Sequence, residues 1–216
     1  TSRGLGDVYK RQDHDGGLVT ENPAAMTERS GAEMKAQVTD ISGVLLIEPL
    51  VHEDERGVFF ETYNERAFER ATGLRPHFVQ DNQSVSVPNA VRGLHYQVGM
   101  QQGKLVRVIR GAVFDVVVDM RRASPTFGQA MTIVLSAANR RQLWIPPGCA
   151  HGFLALGEGA ECVYKISGYW SPAHERVLLW NDPAMAIAWP LNGEPVLSEK
   201  DKASTLLRDA DTCDFF

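Results

Sequence analysis

Two histidines stand beside glycines and prolines, in segments whose composition suits a binding or catalytic site. His95 lies in RGLHYQ, residues 92–97, and His151 lies in PPGCAHGF, residues 146–153. An imidazole titrates near neutral pH, so it can transfer protons, and its neutral ring can also bind a metal. A histidine can instead be a core residue with both nitrogens satisfied by neighbours. The local sequence leaves all three roles open for His95.

A lysine and a tyrosine are further candidates, because strand alternation can aim both into one interior. Alternate side chains of a β-strand share a face. Lys104 shares a face with Val106 and Val108 in KLVRVIR, and Tyr164 shares one with two apolar neighbours in ECVYKIS. On strand parity alone, an exposed strand-end cation and a core aromatic with its hydroxyl satisfied are the favoured reading, and a shared site is the alternative.

A metal role for the histidines can be compared with the cupin pattern. The P-x-G-x-x-H spacing that ends at His151 resembles the second motif of cupin barrels, and RGLHYQ, followed by Gly103 and Gly111, occupies the place of the first. Metal-binding cupins usually carry H-x-H and a later Glu in that first motif, whereas Gln97 replaces the second histidine here. Two histidines fall short of the usual ligand set of a tightly held transition metal. We therefore predict no metal site.

The composition narrows the setting of this chemistry. The chain has 216 residues, 44% hydrophobic content and a formal net charge of -5. Nucleic-acid-binding faces need clustered Lys and Arg, so we expect no nucleic-acid partner. Cys149, Cys162 and Cys213 are odd in number and widely spaced, which is typical of reduced thiols. No apolar stretch is long enough to span a bilayer and no signal-peptide run is visible, so we expect a cytoplasmic protein without a membrane partner.

Short β-rich runs must position these side chains. KLVRVIRG, AVFDVVVDMR, HGFLALG and ECVYKISGYW are each bounded by turn-forming residues, and we predict one strand for each. GVLLIEPLVHEDERGVFFETY predicts two strands joined by a charged turn that ends at Gly57. Asn64 and Gly73 predict the start and end of a short helix with Phe68 facing inward.

Many short strands with little helix between them indicate an antiparallel barrel. We predict an all-β, cupin-type jelly-roll barrel (a double-stranded β-helix) with a few short helices, forming a single domain over residues 36–216. Residues 1–35 are polar and aperiodic, which predicts a disordered tail. Its opening, TSRGLGDVYKRQ, reads as translated cloning sequence, so we expect the tail to be partly non-native.

Several ordered segments carry a resemblance to a known family. RGVFFETY, VQDNQSVS, VRGLHYQ, QGKLVRVIRGAVFDVVVDMR, WIPPGCAHGFLAL, WNDP and LSEKD resemble successive signature segments of the dTDP-4-dehydrorhamnose 3,5-epimerase family. The resemblance runs from about residue 43 to residue 201. It implies a metal-free cupin jelly roll and a homodimer whose exchanged N-terminal strands contribute to the neighbouring subunit's site.

The resemblance also implies catalytic roles. Epimerisation beside a ketone needs a base, an electrophile that stabilises the enolate, and an acid on the opposite sugar face. The family pattern makes His95 the base, with Asp201 as its carboxylate partner. It makes Lys104 the group that stabilises the enolate oxygen and Tyr164 the acid.

Substrate contacts are implied in the same way. Arg56 and Arg92 resemble the diphosphate-binding cations, and a guanidinium suits phosphate geometry. Trp170, or else Tyr169, should stack on thymine. The other implied contacts with nucleotide or sugar are Glu61, Gln80, Asp81, Asn82, His151, Glu175 and Lys200.

The implied activity is a cofactor-independent conversion of dTDP-4-dehydro-6-deoxy-D-glucose to dTDP-4-dehydro-L-rhamnose through enolate intermediates. One alternative is a relative that inverts only carbon 3 or carbon 5 of a related keto sugar; Tyr164 weakly favours the double reaction. A non-catalytic nucleotide-sugar-binding cupin is a second alternative. A metal-dependent cupin oxygenase is a third, which Gln97 disfavours.

Overall fold

The computed structural model describes residues 33–212. Most of the predicted tail, residues 1–32, lies outside the described residues, and so does Cys213. Within residues 33–212 no helix is long and apolar enough to cross a membrane. The elements in chain order are β1 (Lys35–Val38), β2 (Leu45–Glu48), β3 (Val51–Asp54), β4 (Gly57–Phe60), α1 (Glu65–Thr72), β5 (Gln80–Ser86), β6 (Val91–Gln97), β7 (Lys104–Asp119), β8 (Ala130–Ser136), β9 (Gln142–Ile145), β10 (Cys149–Ile166), β11 (Glu175–Val177) and α2 (Glu199–Lys202), with short 3-10 turns at Pro183–Met185 and Leu207–Asp209.

Nine strands form one antiparallel sheet in the order β1-β2-β9-β7-β10-β6-β11, with β5 added to β10 and β8 added to β7. Strands β3 and β4 form a separate two-stranded hairpin. The predicted all-β class is therefore confirmed. The two long strands, β7 and β10, each pair with three neighbours, so the ladder between them joins both halves of the barrel.

The prediction of four strands in place of β7 and β10 was wrong. Strand β7 runs for 16 residues through Gly111, and β10 runs for 18 residues through a bulge between Ala155 and Ala160. Gly111 has a φ of 72°, and a Cβ there would lie 2.1 Å from the carbonyl oxygen of Gly159. These glycines allow two backbones to approach closely inside a continuous ladder, so they do not end the strands.

The prediction of a single strand before Gly57 was also wrong, because the structure has two strands there. The chain breaks at Pro49, between β2 and β3, and β3 then forms the hairpin with β4. Proline lacks the backbone N–H that a ladder needs. The predicted helix is confirmed as α1: the Asn64 side chain accepts from the Ala67 N–H, and Gly73 ends the helix in the left-handed conformation with Phe68 buried beneath it.

Alternation along the strands separates the barrel interior from an outer apolar layer. In β7, Val113 and Val117 pack inside the barrel, whereas Val116 and Val118 pack in a second cluster. That second cluster is covered by apolar residues of the C-terminal segment, including Trp189 and Leu207. Odd-numbered positions of this part of β7 therefore face the interior, where polar side chains need partners or a ligand.

Candidate active site

Strand parity brings the chemically active side chains into the barrel. Leu94 and Tyr96 belong to the outer cluster, so His95 between them faces inward. Its cross-strand partner in the β6–β10 ladder is His151. Directly opposed residues in an antiparallel pair share a face, and the two histidines therefore enter the same interior.

His95 is paired with a carboxylate from the C-terminal region. Its Nε2 lies 2.6 Å from Oδ1 of Asp201, a residue of α2 that is only 3% exposed. Ser198 caps α2, accepting from the Asp201 N–H and donating to Asp201 Oδ2. Burial alone would raise the Asp201 pKa, but the hydrogen bonds from His95 and Ser198 outweigh it, and the pKa lies below its usual value. Asp201 is therefore an ionised partner for the imidazole at neutral pH.

Lys104 begins β7 and is buried beside this pair. Its Nζ donates to the backbone carbonyl of His95 at 3.3 Å. Burial lowers the Lys104 pKa from 10.5 to about 8, while the carboxylates of Asp115 and Glu175 act in the opposite direction. Lys104 is thus a cation at neutral pH that sits close to its titration point.

Tyr164 faces the same interior from β10. It is directly opposite Val106 in the β7–β10 ladder, two residues from Lys104, so both side chains lie on one face. Burial raises the Tyr164 pKa, with the nearby Arg92 cation opposing the shift. The phenol therefore keeps its proton at neutral pH and can donate it.

Two cavities meet at His95, Lys104 and Tyr164, which line both of them. The mouth cavity, of about 410 Å³, opens past Trp170 and Glu175. The deep cavity, of about 130 Å³, is narrower and reaches into the barrel. The residues that line the deep cavity besides those three are Ser84, Arg92, His151, Gly152 and Phe153.

A second histidine–carboxylate pair lies at the deep cavity, which His151 lines. The Nε2 of His151 lies 3.0 Å from both Oδ1 and Oδ2 of Asp115, which is fully buried on β7. Sequence reasoning missed Asp115. Its signal was available, because both faces of AVFDVVVD are apolar, so an aspartate at this position lies among apolar side chains whichever face is the interior.

The structure brings seven of the implied substrate contacts to these cavities and leaves four elsewhere. Gln80, Asn82, Trp170, Glu175 and Lys200 line the mouth cavity, and Arg92 and His151 line the deep one. Arg56, Glu61, Asp81 and Tyr169 line neither cavity.

Each of those four has a clear placement. Asp81 alternates with Gln80 and Asn82, so it points to the opposite face of β5, where it accepts from Lys165 Nζ at 2.7 Å. Glu61 accepts from the Asn64 side chain at 3.2 Å. Tyr169 is exposed, and only its backbone carbonyl contacts the mouth region.

Arg56 lies at the tip of the β3–β4 hairpin, with its side chain 85% exposed and paired to Asp54. Within the chain the structure therefore gives this guanidinium a surface position remote from either cavity lining.

Gln97, which replaces the second histidine of the metal-binding pattern, is 5% exposed and lies at the mouth. Its amide nitrogen donates to the carbonyl oxygens of Met100 and Tyr169, and its oxygen accepts from the Ser171 N–H. Across residues 33–212, no three His, Cys, Asp or Glu side chains are grouped as metal ligands.

Comparisons with known proteins identify the family of this chain. The dTDP-4-dehydrorhamnose 3,5-epimerase family profile matches residues 38–209. The Pseudomonas aeruginosa enzyme of that name is 56% identical over 178 residues, covering 82% of this chain and 98% of the relative. The Salmonella typhimurium enzyme is 55% identical over 173 residues, covering 80% of this chain and 94% of its own.

A solved structure extends the likeness to the fold. The Legionella pneumophila dTDP-6-deoxy-D-glucose-3,5-epimerase, in complex with dTDP-4-keto-L-rhamnose, superposes with a TM-score of 0.82 at 44% identity. The match covers 85% of this chain and 100% of that one. These likenesses confirm the cupin-type jelly roll and the family resemblance read from the sequence. The chain belongs to the dTDP-4-dehydrorhamnose 3,5-epimerase family, whose members are isomerases.

Proposed function

We propose that this protein epimerises carbons 3 and 5 of dTDP-4-dehydro-6-deoxy-D-glucose, forming dTDP-4-dehydro-L-rhamnose. Membership of the family supports this activity. The observation that carries the proposal is the convergence of a histidine–carboxylate pair, a buried lysine and a protonated tyrosine on one cavity.

The proposed chemistry uses each of these groups once per inversion. His95 removes the proton from the carbon beside the ketone, and the electron pair of the broken C–H bond moves to the ketone oxygen to form an enolate. The Lys104 cation stabilises the negative oxygen. Tyr164 then gives its proton to the opposite face of the carbon, and the ketone is restored. Solvent takes the proton from His95 and returns one to Tyr164, which resets both groups before the next inversion.

The electrostatic setting supports this division of labour. An ionised Asp201 orients the imidazole and stabilises its positive charge after it accepts a proton. The raised Tyr164 pKa keeps the acid protonated until the enolate forms. Every group in the scheme belongs to this chain, and a reaction without cofactor or metal stays a prediction.

Substrate orientation follows from the two cavities. We place the sugar ring at the junction formed by His95, Lys104 and Tyr164, with the nucleotide extending through the mouth past Trp170. Arg92 donates from its guanidinium to Ser86 Oγ at 2.9 Å and to the Val85 carbonyl at 3.1 Å. These two contacts hold a cation beside the junction, where the diphosphate joins the sugar.

A homodimer with exchanged N-terminal strands is part of the same proposal. Among the described residues, the β3–β4 hairpin makes a sheet only with itself, and its Phe59 is 69% exposed. Seating this hairpin on a second copy would cover Phe59 and bring Arg56 to the partner's diphosphate. A cytoplasmic location and the absence of a nucleic-acid partner also stay predictions.

Product analysis in deuterated water tests the proposed activity. The purified protein is incubated with dTDP-4-dehydro-6-deoxy-D-glucose, and proton NMR follows the signals of carbons 3 and 5. We expect deuterium at both carbons and inversion of both. Inversion at one carbon would assign a single-carbon epimerase, and binding without exchange would assign a non-catalytic nucleotide-sugar-binding protein.

A further inference from the structure

Two loops contribute Gln102 and Trp170 to the rim of the mouth cavity, and one side chain connects them. The first loop, residues 98–103, follows β6, and the second, residues 167–174, follows β10 and carries Trp170. Gln97 sits at the end of β6, directly opposite Glu175 of β11. From there its side chain reaches both loops.

Gln97 makes three hydrogen bonds to backbone atoms of the two loops. The amide nitrogen donates to the Met100 carbonyl at 2.5 Å in the first loop and to the Tyr169 carbonyl at 3.3 Å in the second. The amide oxygen accepts from the Ser171 N–H at 2.7 Å. The Tyr169 carbonyl and the Ser171 N–H belong to the two peptide groups that flank the α-carbon of Trp170. A single buried amide therefore holds the backbone on both sides of this residue.

The indole of Trp170 depends on a fixed backbone, because much of the side chain is exposed. Trp170 is 54% exposed, yet it lines the mouth cavity. An exposed aromatic on a loop can present a fixed face to a ligand only if the loop backbone is held, since ordering it on binding costs affinity. Gln102 adds a separate anchor one residue before Tyr169, donating to the Gly168 carbonyl at 2.8 Å.

We propose that Gln97 is a positioning residue for ligand binding, which fixes Trp170 as a rigid aromatic face at the cavity mouth. The position that carries a metal ligand in metal-binding cupins is used here to order the rim. Both polar atoms of the amide, Nε2 and Oε1, bond to backbone groups, so the residue acts through Trp170 and does not touch the reacting carbons. This inference rests on the proposed function, because it assigns the nucleotide end of the substrate to the mouth.

Gln97→Leu and Gln97→Glu separate this role from a purely structural one. Leucine removes all three hydrogen bonds, whereas glutamate keeps an acceptor for Ser171 but places oxygen against two carbonyls. For both variants we expect a roughly tenfold weaker affinity for dTDP by calorimetry and a similar rise in KM, with kcat within about twofold of the wild type. Gln129→Leu, on an exposed loop, is the matched control and should change none of these values.

Acrylamide quenching of tryptophan fluorescence supplies a readout that does not depend on activity. The contribution of Trp170 to quenching is the difference between a protein and the same protein carrying Trp170→Phe. We expect this difference to be larger in each Gln97 variant than in the wild type. Unchanged quenching and dTDP affinity in a folded variant would overturn the inference, as would a fall in kcat at unchanged KM. A wild-type protein that binds no dTDP would overturn the proposed function instead, while quenching would still decide whether Gln97 orders Trp170.

Discussion

Two histidine–carboxylate pairs lie side by side on the β6–β10 ladder, and their carboxylates arrive by different routes. Asp201 reaches His95 from α2, 106 residues along the chain, and offers one oxygen at 2.6 Å. Asp115 reaches His151 from the adjacent strand β7 and offers both oxygens at 3.0 Å. The His95 side chain is 28% exposed and that of His151 is 9% exposed.

The contrast separates an accessible pair from an enclosed one. At the mouth, a carboxylate on a separate segment leaves the imidazole open to the cavity, which suits a group that must accept and release protons. At the deep end, two oxygens on a rigid strand fix the ring, which suits a donor or acceptor of constant orientation. Similar pairs thus acquire different uses through access and support, and the following experiments test that division.

Exchanging each histidine for glutamine should give the largest difference between the pairs. His95→Gln removes the proposed base, so we expect a loss of about 10³-fold both in kcat and in the rate of deuterium incorporation. His151→Gln keeps a polar partner for Asp115 and should still catalyse exchange. Solvent-exchange NMR measures both. Exchange by His95→Gln at the wild-type rate would show that another group is the base, and loss of exchange confined to His151→Gln would place the base at the deep end.

Removing the Tyr164 hydroxyl should show from which side the proton returns. We expect Tyr164→Phe to lose about 10²-fold in fully inverted product while still exchanging deuterium, because the enolate can be reprotonated from the His95 side. The change keeps the ring and should cost about 1 kcal/mol or less in stability. NMR of the recovered keto sugar and a thermal melt check this. Inversion at the wild-type rate would remove Tyr164 from the mechanism.

Neutralising the two carboxylates compares the pairs directly. Asp201→Asn removes the charge that supports the His95 imidazolium, and we expect kcat to fall about 10²-fold. Asp115→Asn leaves the mouth pair intact, so we expect a loss of about tenfold, mostly in KM. Steady-state kinetics on variants with matched melting temperatures provide the measurement. Equal losses in kcat would contradict the proposed division.

The pH dependence of the reaction tests whether Lys104 acts as a cation and whether Asp115 raises its pKa. Its pKa of about 8 means that the cation is present below that pH and lost above it, so kcat/KM should fall about tenfold per pH unit well above pH 8. Asp115 raises this pKa, so Asp115→Asn should move the fall to lower pH. Lys104→Arg should remove the fall, since a guanidinium stays charged. A fall that persists at the same pH in Lys104→Arg would assign it to another group.

Arg56 lies away from both pairs and should have the smallest effect on the chemistry. Arg56→Ala should raise KM about tenfold through loss of a phosphate contact across the proposed dimer, with kcat unchanged. Its melting temperature should also stay unchanged, because an exposed pair with Asp54 contributes little to stability. Calorimetric titration with dTDP and a thermal melt suffice. Unchanged binding with a lowered melting temperature would make Arg56 a structural residue.

The sequence predicted correctly those elements whose ends are determined by residues within one turn. Asn64 and Gly73 marked the ends of α1 because a side-chain cap and a left-handed residue act within one turn. Gly111 misled the strand prediction, because a glycine at a bulge and a glycine at a turn look alike until the neighbouring backbone is known.

The site was harder to predict because its partners are distant in sequence. Parity alone could place Lys104 and Tyr164 in one interior, and it would have excluded Asp81 from the face of its two neighbours. The pairing of Asp201 with His95 came from family resemblance, since nothing local connects residues 106 positions apart. Parity does not decide the position of Trp170, because β10 ends at Ile166 and the indole lies on the loop beyond it.

The continuity of β7 and β10 has a consequence for how such a barrel can diversify. Lys104 and Asp115 lie on β7, and Tyr164 and His151 lie on β10. Fourteen register pairs join these two strands. Lys104 and Tyr164 therefore keep their mutual spacing whatever happens to the two loops of the rim, which lie outside the paired segments of these strands. We therefore expect insertions or exchanges in residues 98–103 and 167–174 to alter which nucleotide binds while Lys104 and Tyr164 keep their positions. The fold thus separates the evolution of specificity from that of chemistry.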